Sequence, residues 1–251
     1  HIILKEQIKK FVENEVKPEA TKWEEDGFIP REVFKKMGAL GFLGITYPTE
    51  FGGSEMDVRG SVVFAEELGK STFSGFAIAS LVHTDMASVH LLNAGNIEQK
   101  KKYLADIILG NKISCVAVTE PHAGSDVKSI RTKAQKVGSK YIINGSKIFI
   151  TNGVHADIYF VAAKTSDGLQ QSSNITMFIV RKNNPGLIIN KQLDKHGWRC
   201  SDTAELFFQD CEVEEADVLG TLNKGFYAIM QNFQNERLVM GSMAMGEAQA
   251  A

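Results

Sequence analysis

The spacing of apolar residues changes twice along this chain of 251 residues. Up to about Gly110 they recur at every third or fourth position, which predicts amphipathic helices. The helices are expected over residues 2–17, 31–37, 58–68, 74–93 and 97–109. A glycine-rich stretch from Gly38 to Gly53 interrupts this pattern and is predicted to consist mainly of loops.

From Asn111 to about residue 220 the apolar period shortens toward two, and β-branched residues collect in short runs. Strands are predicted over residues 113–119, 130–137, 141–143, 147–151, 158–164, 175–181 and 205–208. Asn144 and Gly145 separate two apolar runs and tolerate a positive φ, so they are predicted to form a hairpin turn. The region therefore predicts an antiparallel β-domain.

The helical period returns from about Thr221 and predicts one further helix. The chain is thus assigned to the α+β class, with a helical domain over 1–110, a β-domain over 111–220 and the first helix of another domain over 221–251. It begins at His1 and stops at Ala251 within a helical pattern, so both ends are expected to be cut from a longer protein.

Composition limits the classes of partner. The chain is 43% hydrophobic and 23% charged with a net charge of -2, which is typical of a soluble globular protein and offers no basic surface for nucleic acid. Its longest apolar stretch, 71–82, is shorter than the ~20 residues of a membrane span, so no transmembrane segment is predicted. The 3 cysteines lack metal-ligand spacing, and His83 and His90 lack a third ligand, so no metal is expected.

Residues 118–126, V-T-E-P-H-A-G-S-D, follow the first predicted strand. Pro121 cannot donate to a sheet ladder, while Gly124 and Ser125 can turn backbone N–H groups and a hydroxyl toward an anion such as pyrophosphate. An ordinary polar β-turn explains the same residues equally well. The composition of this stretch alone leaves both interpretations open.

Phe149 and Thr151 lie two residues apart in a predicted strand, so their side chains are expected on one face. An aromatic ring beside a hydrogen-bonding group suits a flat heteroaromatic ligand. A packed phenylalanine beside a threonine that faces a loop is the alternative, and it is favoured when nothing else is known.

Glu236 interrupts the apolar stripe of the last predicted helix, three residues after Phe233 and four before Met240. Burial there would raise its pKa and make it a usable base near neutral pH. A surface glutamate paired with a nearby cation is the alternative. The neighbouring Arg237 is compatible with both.

These stretches together resemble the acyl-CoA dehydrogenase family of flavoenzymes. Residues 118–126 are similar to the family's signature V-T-E-P-x-A-G-S-D, and residues 147–153 to its strand K-x-[WF]-I-T-N-G. Agreement continues in family order over 41–53, 94–104 and 197–211. Two positions depart from the pattern, because His122 replaces a small residue and Val116 stands where an aromatic residue is common.

The resemblance implies a helical N-terminal domain, a central β-domain and a C-terminal four-helix domain, with FAD between the last two. Most of that C-terminal domain is expected to be missing. The residues implied to bind FAD are Val118, Thr119, Gly124, Ser125, Phe149, Ile150 and Thr151. Ser125 and Arg237 are assigned to the substrate.

Family members oxidise the Cα–Cβ bond of an acyl-CoA: a glutamate removes the α-proton and the β-hydrogen leaves as a hydride to flavin N5. Glu236-Arg237-Leu238 matches the E-R-L context of the base in the isovaleryl and long-chain types, so Glu236 is the predicted catalytic base. Acyl-CoA oxidase or another flavin oxidase on the same fold, and a non-catalytic acyl-thioester or flavin-binding scaffold, are the alternatives.

The resemblance also implies an assembly and a location. The complete protein is expected to be a homotetramer or homodimer that passes electrons to an electron-transfer flavoprotein. Its expected location is a bacterial cytoplasm or the mitochondrial matrix. The chain by itself is expected to bind FAD poorly and to be inactive.

Overall fold

The computed structural model describes residues 1–165 and 174–251. Its first part is helical and contains α1 (Ile2–Phe11), α2 (Ala20–Asp26), α3 (Arg31–Ala39), α4 (Val58–Gly69), α5 (Ser74–Leu81), α6 (Ser88–Ala94) and α7 (Ile97–Ile108). The five predicted helices are confirmed. Helix α2 is not predicted, because its seven residues bury only Ala20 and Trp23 and form no continuous apolar stripe.

A continuous helical run, Ser74–Ala94, joins α5 to α6 through a π-helical segment, Val82–Ala87. Among the described helices it is the one that is long and apolar enough to cross a membrane by length and composition. However, 89% of its most apolar window is buried inside the protein, as in the central helix of a globular domain. Packing in the interior therefore accounts for its apolar character.

The second part is a mixed β-sheet. Its strands are β1 (Ser114–Ala117), β2 (Lys133–Val137), β3 (Lys140–Thr151), β4 (Ile158–Lys164), β5 (Ile175–Arg181), β6 (Leu187–Gln192), β7 (Thr203–Glu214) and β8 (Val218–Leu219). They follow the order β6-β7-β3-β2-β4-β5-β8, with β1 beside β4. Most pairs are antiparallel as predicted, but β4 pairs in parallel with β1 and with β2. Strands β6 and β8 are not predicted.

The predicted hairpin turn at Asn144 and Gly145 is wrong. Strand β3 runs through both residues, and the turn from β2 to β3 lies at Gly138. The register against β7 shifts at this point, where the Asn144 side chain exchanges hydrogen bonds with Asp210. A Cβ on Gly145 would lie 2.4 Å from Thr132 Oγ1, so only glycine fits here. The Asn-Gly pair therefore lies at an irregularity within the strand. Such an irregularity favours the same residue types as a turn.

The last helix, α8 (Gly225–Ala250), packs on α4 and on the π-helical segment. A Cβ on Gly69 would lie 2.2 Å from the Met243 carbonyl oxygen, so glycine permits the close approach of α4 to α8. One apolar cluster joins the helices to a face of the sheet, and a second lies within the β-domain. The division of the chain at residues 110 and 220 stays a prediction.

Candidate functional site

A cavity of about 260 Å³ lies between α8, the π-helical segment and the ends of β1 and β3. Its lining residues are Val82, Met86, Val116, Val118, Thr119, Gly124, Val127, Phe149, Ile150, Thr151, Phe233 and Glu236. The three stretches selected from the sequence therefore meet at one cavity. The predicted residues among the lining are Val118, Thr119, Gly124, Phe149, Ile150, Thr151 and Glu236.

Two predicted residues do not line this cavity. Ser125 is exposed beside Gly124 in the loop after β1. Arg237 is exposed on α8, and its guanidinium lies 5.8 Å from the centre of the Phe233 ring. Their assignment to the substrate stays a prediction.

A buried ion pair fixes the strand end that carries Val118 and Thr119. Lys147 Nζ lies 2.7 Å from Glu120 Oε1 and 2.9 Å from the Val118 carbonyl oxygen, and both charged side chains are buried. The backbone N–H groups of Arg131 and Thr132 also donate to Glu120. Burial disfavours the Glu120 carboxylate, but Lys147, the Arg131 backbone N–H and the Thr132 side chain hold its pKa below the usual value.

This ion pair joins residues 118–126 to residues 147–153, and it was not predicted from the sequence. Glu120 and Lys147 carry opposite charges at the edges of the apolar runs 115–118 and 148–150, which is the signal that could have suggested their contact. Because Glu120 and Lys147 are far apart in the sequence, the sequence alone does not indicate that they pair. The pair supports the cavity without lining it.

Phe149 reaches the cavity through a backbone irregularity. The pairing of β3 with β7 shifts between Lys147 and Ile150, and Phe149 has a φ of 61°. Strand β3 is therefore irregular at Phe149, and Phe149 and Thr151, which were expected on one face, both line the cavity. A positive φ on a bulky residue is strained and is typical of functional sites. Phe149 is 64% exposed, which leaves it available to a ligand.

Hydrogen-bond donors around the cavity are free. Within the described chain, the side-chain hydroxyls of Thr119, Ser125 and Thr151 make no hydrogen bond, and neither do the backbone N–H groups of Gly124 and Ser125. The space next to Gly124 is open. Donors of this kind, beside an exposed aromatic ring, fit a flat heteroaromatic ring with an anionic tail.

Glu236 is the ionisable residue in the cavity lining. Burial raises its pKa to about 7, although a hydrogen bond from Asn232 and the charge of Arg237 act to lower it. Asn232 Nδ2 lies 2.7 Å from Glu236 Oε1. The carboxyl group can therefore gain or lose a proton near neutral pH. Asn232 was missed, although its spacing of four residues is the one that brings helix side chains together.

His83 and His90, the two histidines considered as metal ligands, do not line the cavity. His83 is buried, with Nε2 against the Ile107 carbonyl oxygen and Nδ1 against the Ser114 backbone N–H. His90 is buried as well. Residues 1–165 and 174–251 contain no group of three or more His, Cys, Asp or Glu side chains arranged to hold a metal ion.

Residues 1–111 match the family model of the acyl-CoA dehydrogenase N-terminal domain, and residues 115–211 match that of the middle domain. The chain is 40% identical over 250 residues to the mitochondrial isovaleryl-CoA dehydrogenase of Pongo abelii and 38% identical over 246 residues to the mitochondrial long-chain specific acyl-CoA dehydrogenase of Mus musculus. Both alignments cover 98% of this chain, but only 59% and 57% of the relatives. The chain thus spans about three fifths of their length.

Solved structures share the same backbone arrangement. An acyl-CoA dehydrogenase from Geobacillus kaustophilus has a TM-score of 0.96 at 40% identity, covering 100% of this chain and 66% of that one. An acyl-CoA dehydrogenase complexed with FAD from Bacillus anthracis has a TM-score of 0.91 at 32% identity, covering 98% and 41%. The prolyl acyl carrier protein oxidase AnaB has a TM-score of 0.93 at 32% identity, covering 99% and 66%.

Proposed function

This chain belongs to the acyl-CoA dehydrogenase family, and from that premise we propose that it forms part of a flavoenzyme that oxidises an acyl-CoA thioester to the trans-2-enoyl-CoA. The observation that carries the proposal is the composition of one cavity. It contains a carboxyl group with a pKa near neutrality, free hydroxyl donors and an exposed aromatic ring. A base and a site for a flat ring are the two parts that this reaction requires.

FAD is the proposed cofactor, and the Bacillus anthracis relative is described as an FAD complex. The residues proposed to hold it are Val118, Thr119, Gly124, Ser125, Phe149, Ile150 and Thr151. Their free donors and the open space at Gly124 are suited to the polar edge and the phosphates of such a ligand. FAD, when bound, supplies the acceptor for the β-hydride.

Glu236 is proposed to remove the α-proton. A carboxylate in a partly apolar wall is a stronger base than one in water, because burial disfavours its charge. Val82, Met86 and Phe233 line the same cavity, so Glu236 lies beside apolar side chains that an acyl chain can also contact. The α-proton becomes more acidic as the thioester oxygen gains negative charge, so a well-placed base can act near neutral pH.

The rate of flavin reduction is expected to rise with pH through about 7 and to level off above. Below that pH Glu236 is protonated and cannot accept the α-proton, so the rate should fall about tenfold per pH unit. Because the pKa of Glu236 is higher in the folded chain than the 4.5 of the unfolded chain, protonation of Glu236 favours folding. This contribution to stability is fully present below pH 4.5 and is lost as the pH rises to about 7. Stopped-flow absorbance of the flavin at a series of pH values measures the rate, and a profile without this inflection contradicts the assignment.

The substrate class and the electron acceptor need a direct assay. The longest natural polypeptide that carries residues 1–251, reconstituted with FAD, is mixed with acyl-CoAs of graded length and branching. We expect enoyl-CoA to form faster with an electron-transfer flavoprotein than with air. Rapid reoxidation by air would favour the oxidase alternative, which the structural similarity to the oxidase AnaB also supports. Absence of both enoyl-CoA and any flavin spectral change would favour a non-catalytic scaffold.

The remaining features of the complete protein are proposed from its relatives. The E-R-L context of Glu236 supports a branched or long acyl group, as in the isovaleryl and long-chain enzymes. A homotetramer or homodimer and an electron-transfer flavoprotein partner are proposed for the same reason. The mitochondrial and Geobacillus relatives support a mitochondrial matrix or bacterial cytoplasmic location.

A further inference from the structure

A single amide side chain connects Glu236 to the neighbouring helical run. Asn232 lies one turn earlier on α8 and is 3% exposed. Its Nδ2 donates to Glu236 Oε1 at 2.7 Å and to the Met86 carbonyl oxygen at 3.1 Å. Because both partners are acceptors, both amide hydrogens are used and the NH₂ group, rather than the amide oxygen, faces them.

The second partner belongs to an unusual part of the backbone. Met86 lies in the π-helical segment, and the Met86 and Val82 side chains line the same cavity as Glu236. π-Helical turns are rare and occur frequently at functional sites. Asn232 thus connects the carboxyl group to a second element of the cavity wall.

We propose that Asn232 is a positioning residue for Glu236: its amide holds the carboxylate against the π-helical segment and so fixes the base at one place in the cavity wall. The inference rests on the proposed function of Glu236 as base. The geometry explains the role, because a carboxylate that accepts a buried hydrogen bond loses rotational freedom and is stabilised in its charged form. Without this bond the carboxyl group should stay protonated to higher pH.

Other ionisable groups on this part of α8 and on the elements packed against it are accounted for. They are Arg237 on α8, His83 and Asp85 on the π-helical segment, His90 on α6, Arg59, Glu66 and Glu67 on α4 with Lys70 after it, and Arg181 on β5. Arg59 pairs with Asp57, and Arg181 pairs with Asp217. Burial lowers the pKa of both histidines to about 4, so they are neutral near pH 7. Burial raises the pKa of Asp85, and Lys70 is held by Glu66 and Glu67. Asn232 and Arg237 are the groups that lower the pKa of Glu236.

The first test measures the carboxyl group without any cofactor or substrate. Chains labelled with ¹³C at the glutamate carboxyl carbon are titrated by NMR, and the Glu236 signal is assigned by its loss in Glu236→Gln. Asn232→Leu should move the midpoint up by about one pH unit, since a donor to the charged form is lost. Asn232→Asp keeps the side-chain shape and adds a negative charge, so it should move the midpoint at least as far.

Asn235→Leu is the matched control. Asn235 Nδ2 donates to the Asp85 carbonyl oxygen at 3.2 Å, so it also connects α8 to the π-helical segment, but it does not contact Glu236 by a hydrogen bond. We expect its Glu236 midpoint to equal that of the unmodified chain. If all three variants leave the midpoint unchanged, or shift it equally, Asn232 has only a structural role and the proposal is overturned.

The second test separates this inference from the proposed function. In the FAD-loaded protein, the inflection of the flavin reduction rate should move upward in Asn232→Leu, and the rate deficit should shrink as pH rises. If acyl-CoA reduces the flavin but Asn232→Leu leaves the Glu236 midpoint unchanged, the role of Asn232 is overturned and the proposed function stands. If Asn232→Leu shifts the Glu236 midpoint but no acyl-CoA reduces the flavin of the unmodified protein, the contact between Asn232 and Glu236 is supported and the proposed function is contradicted.

Discussion

Glu236→Gln is expected to slow the reduction of bound flavin by acyl-CoA by about a thousandfold or more at pH 8, since general bases contribute about 10² to 10⁴ in rate. Glutamine has nearly the same size and can still accept a hydrogen bond from Asn232. However, its amide cannot take up the α-proton. FAD binding should remain largely intact, because the residues proposed to hold FAD are unchanged.

Stopped-flow absorbance under anaerobic conditions measures this effect. Glu247→Gln is the matched control, because it makes the same chemical change on the same helix, away from the cavity lining. The control should reduce at the rate of the unmodified protein. Rapid flavin reduction in Glu236→Gln would mean that another residue is the base.

Lys147→Met is expected to lower the free energy of unfolding by about 3 to 5 kcal/mol, the usual cost of breaking a buried ion pair. The substitution leaves the Glu120 carboxylate buried without its cation. Backbone N–H groups of Arg131 and Thr132 still donate to it, but they carry no full charge. The loss should therefore be large for a single substitution.

Urea denaturation at pH 7 measures the loss. Adding Glu120→Gln to Lys147→Met should recover much of it, because the neutral amide can still accept from the backbone and needs no counter-charge. Lys136→Met, which breaks the exposed pair with Glu215, should change stability little. A Lys147→Met chain as stable as this control would contradict a supporting role for the buried pair.

Elements with a continuous buried face were predictable from the sequence. Strands β4 and β5 are buried along nearly their whole length, and their predicted ends are the observed ones. Strand β6 buries only its first residue, Leu187, so its apolar pattern was too weak to detect. The Asn144-Gly145 error has a different cause, since only the long-range pairing of β3 with β7 distinguishes a bulge from a turn.

The candidate site was predictable in its parts and not in its connections. The stretches that carry Thr119, Thr151 and Glu236 were selected from the sequence, and they meet at one cavity. The contact of Asn232 with the Met86 backbone depends on how α8 packs against the π-helical segment. The Glu120–Lys147 pair depends on how β3 passes the end of β1. Local sequence patterns contain neither packing arrangement.

The central claim is that this cavity brings together a flavin and a base for an acyl thioester. An anaerobic titration of the FAD-loaded protein with branched and long-chain acyl-CoAs tests it most directly, with flavin absorbance as the signal. The account predicts that absorbance is lost with close to one equivalent of at least one acyl-CoA and that trans-2-enoyl-CoA is the product. An unchanged flavin spectrum with every acyl-CoA tested, in a protein that binds FAD, would contradict it.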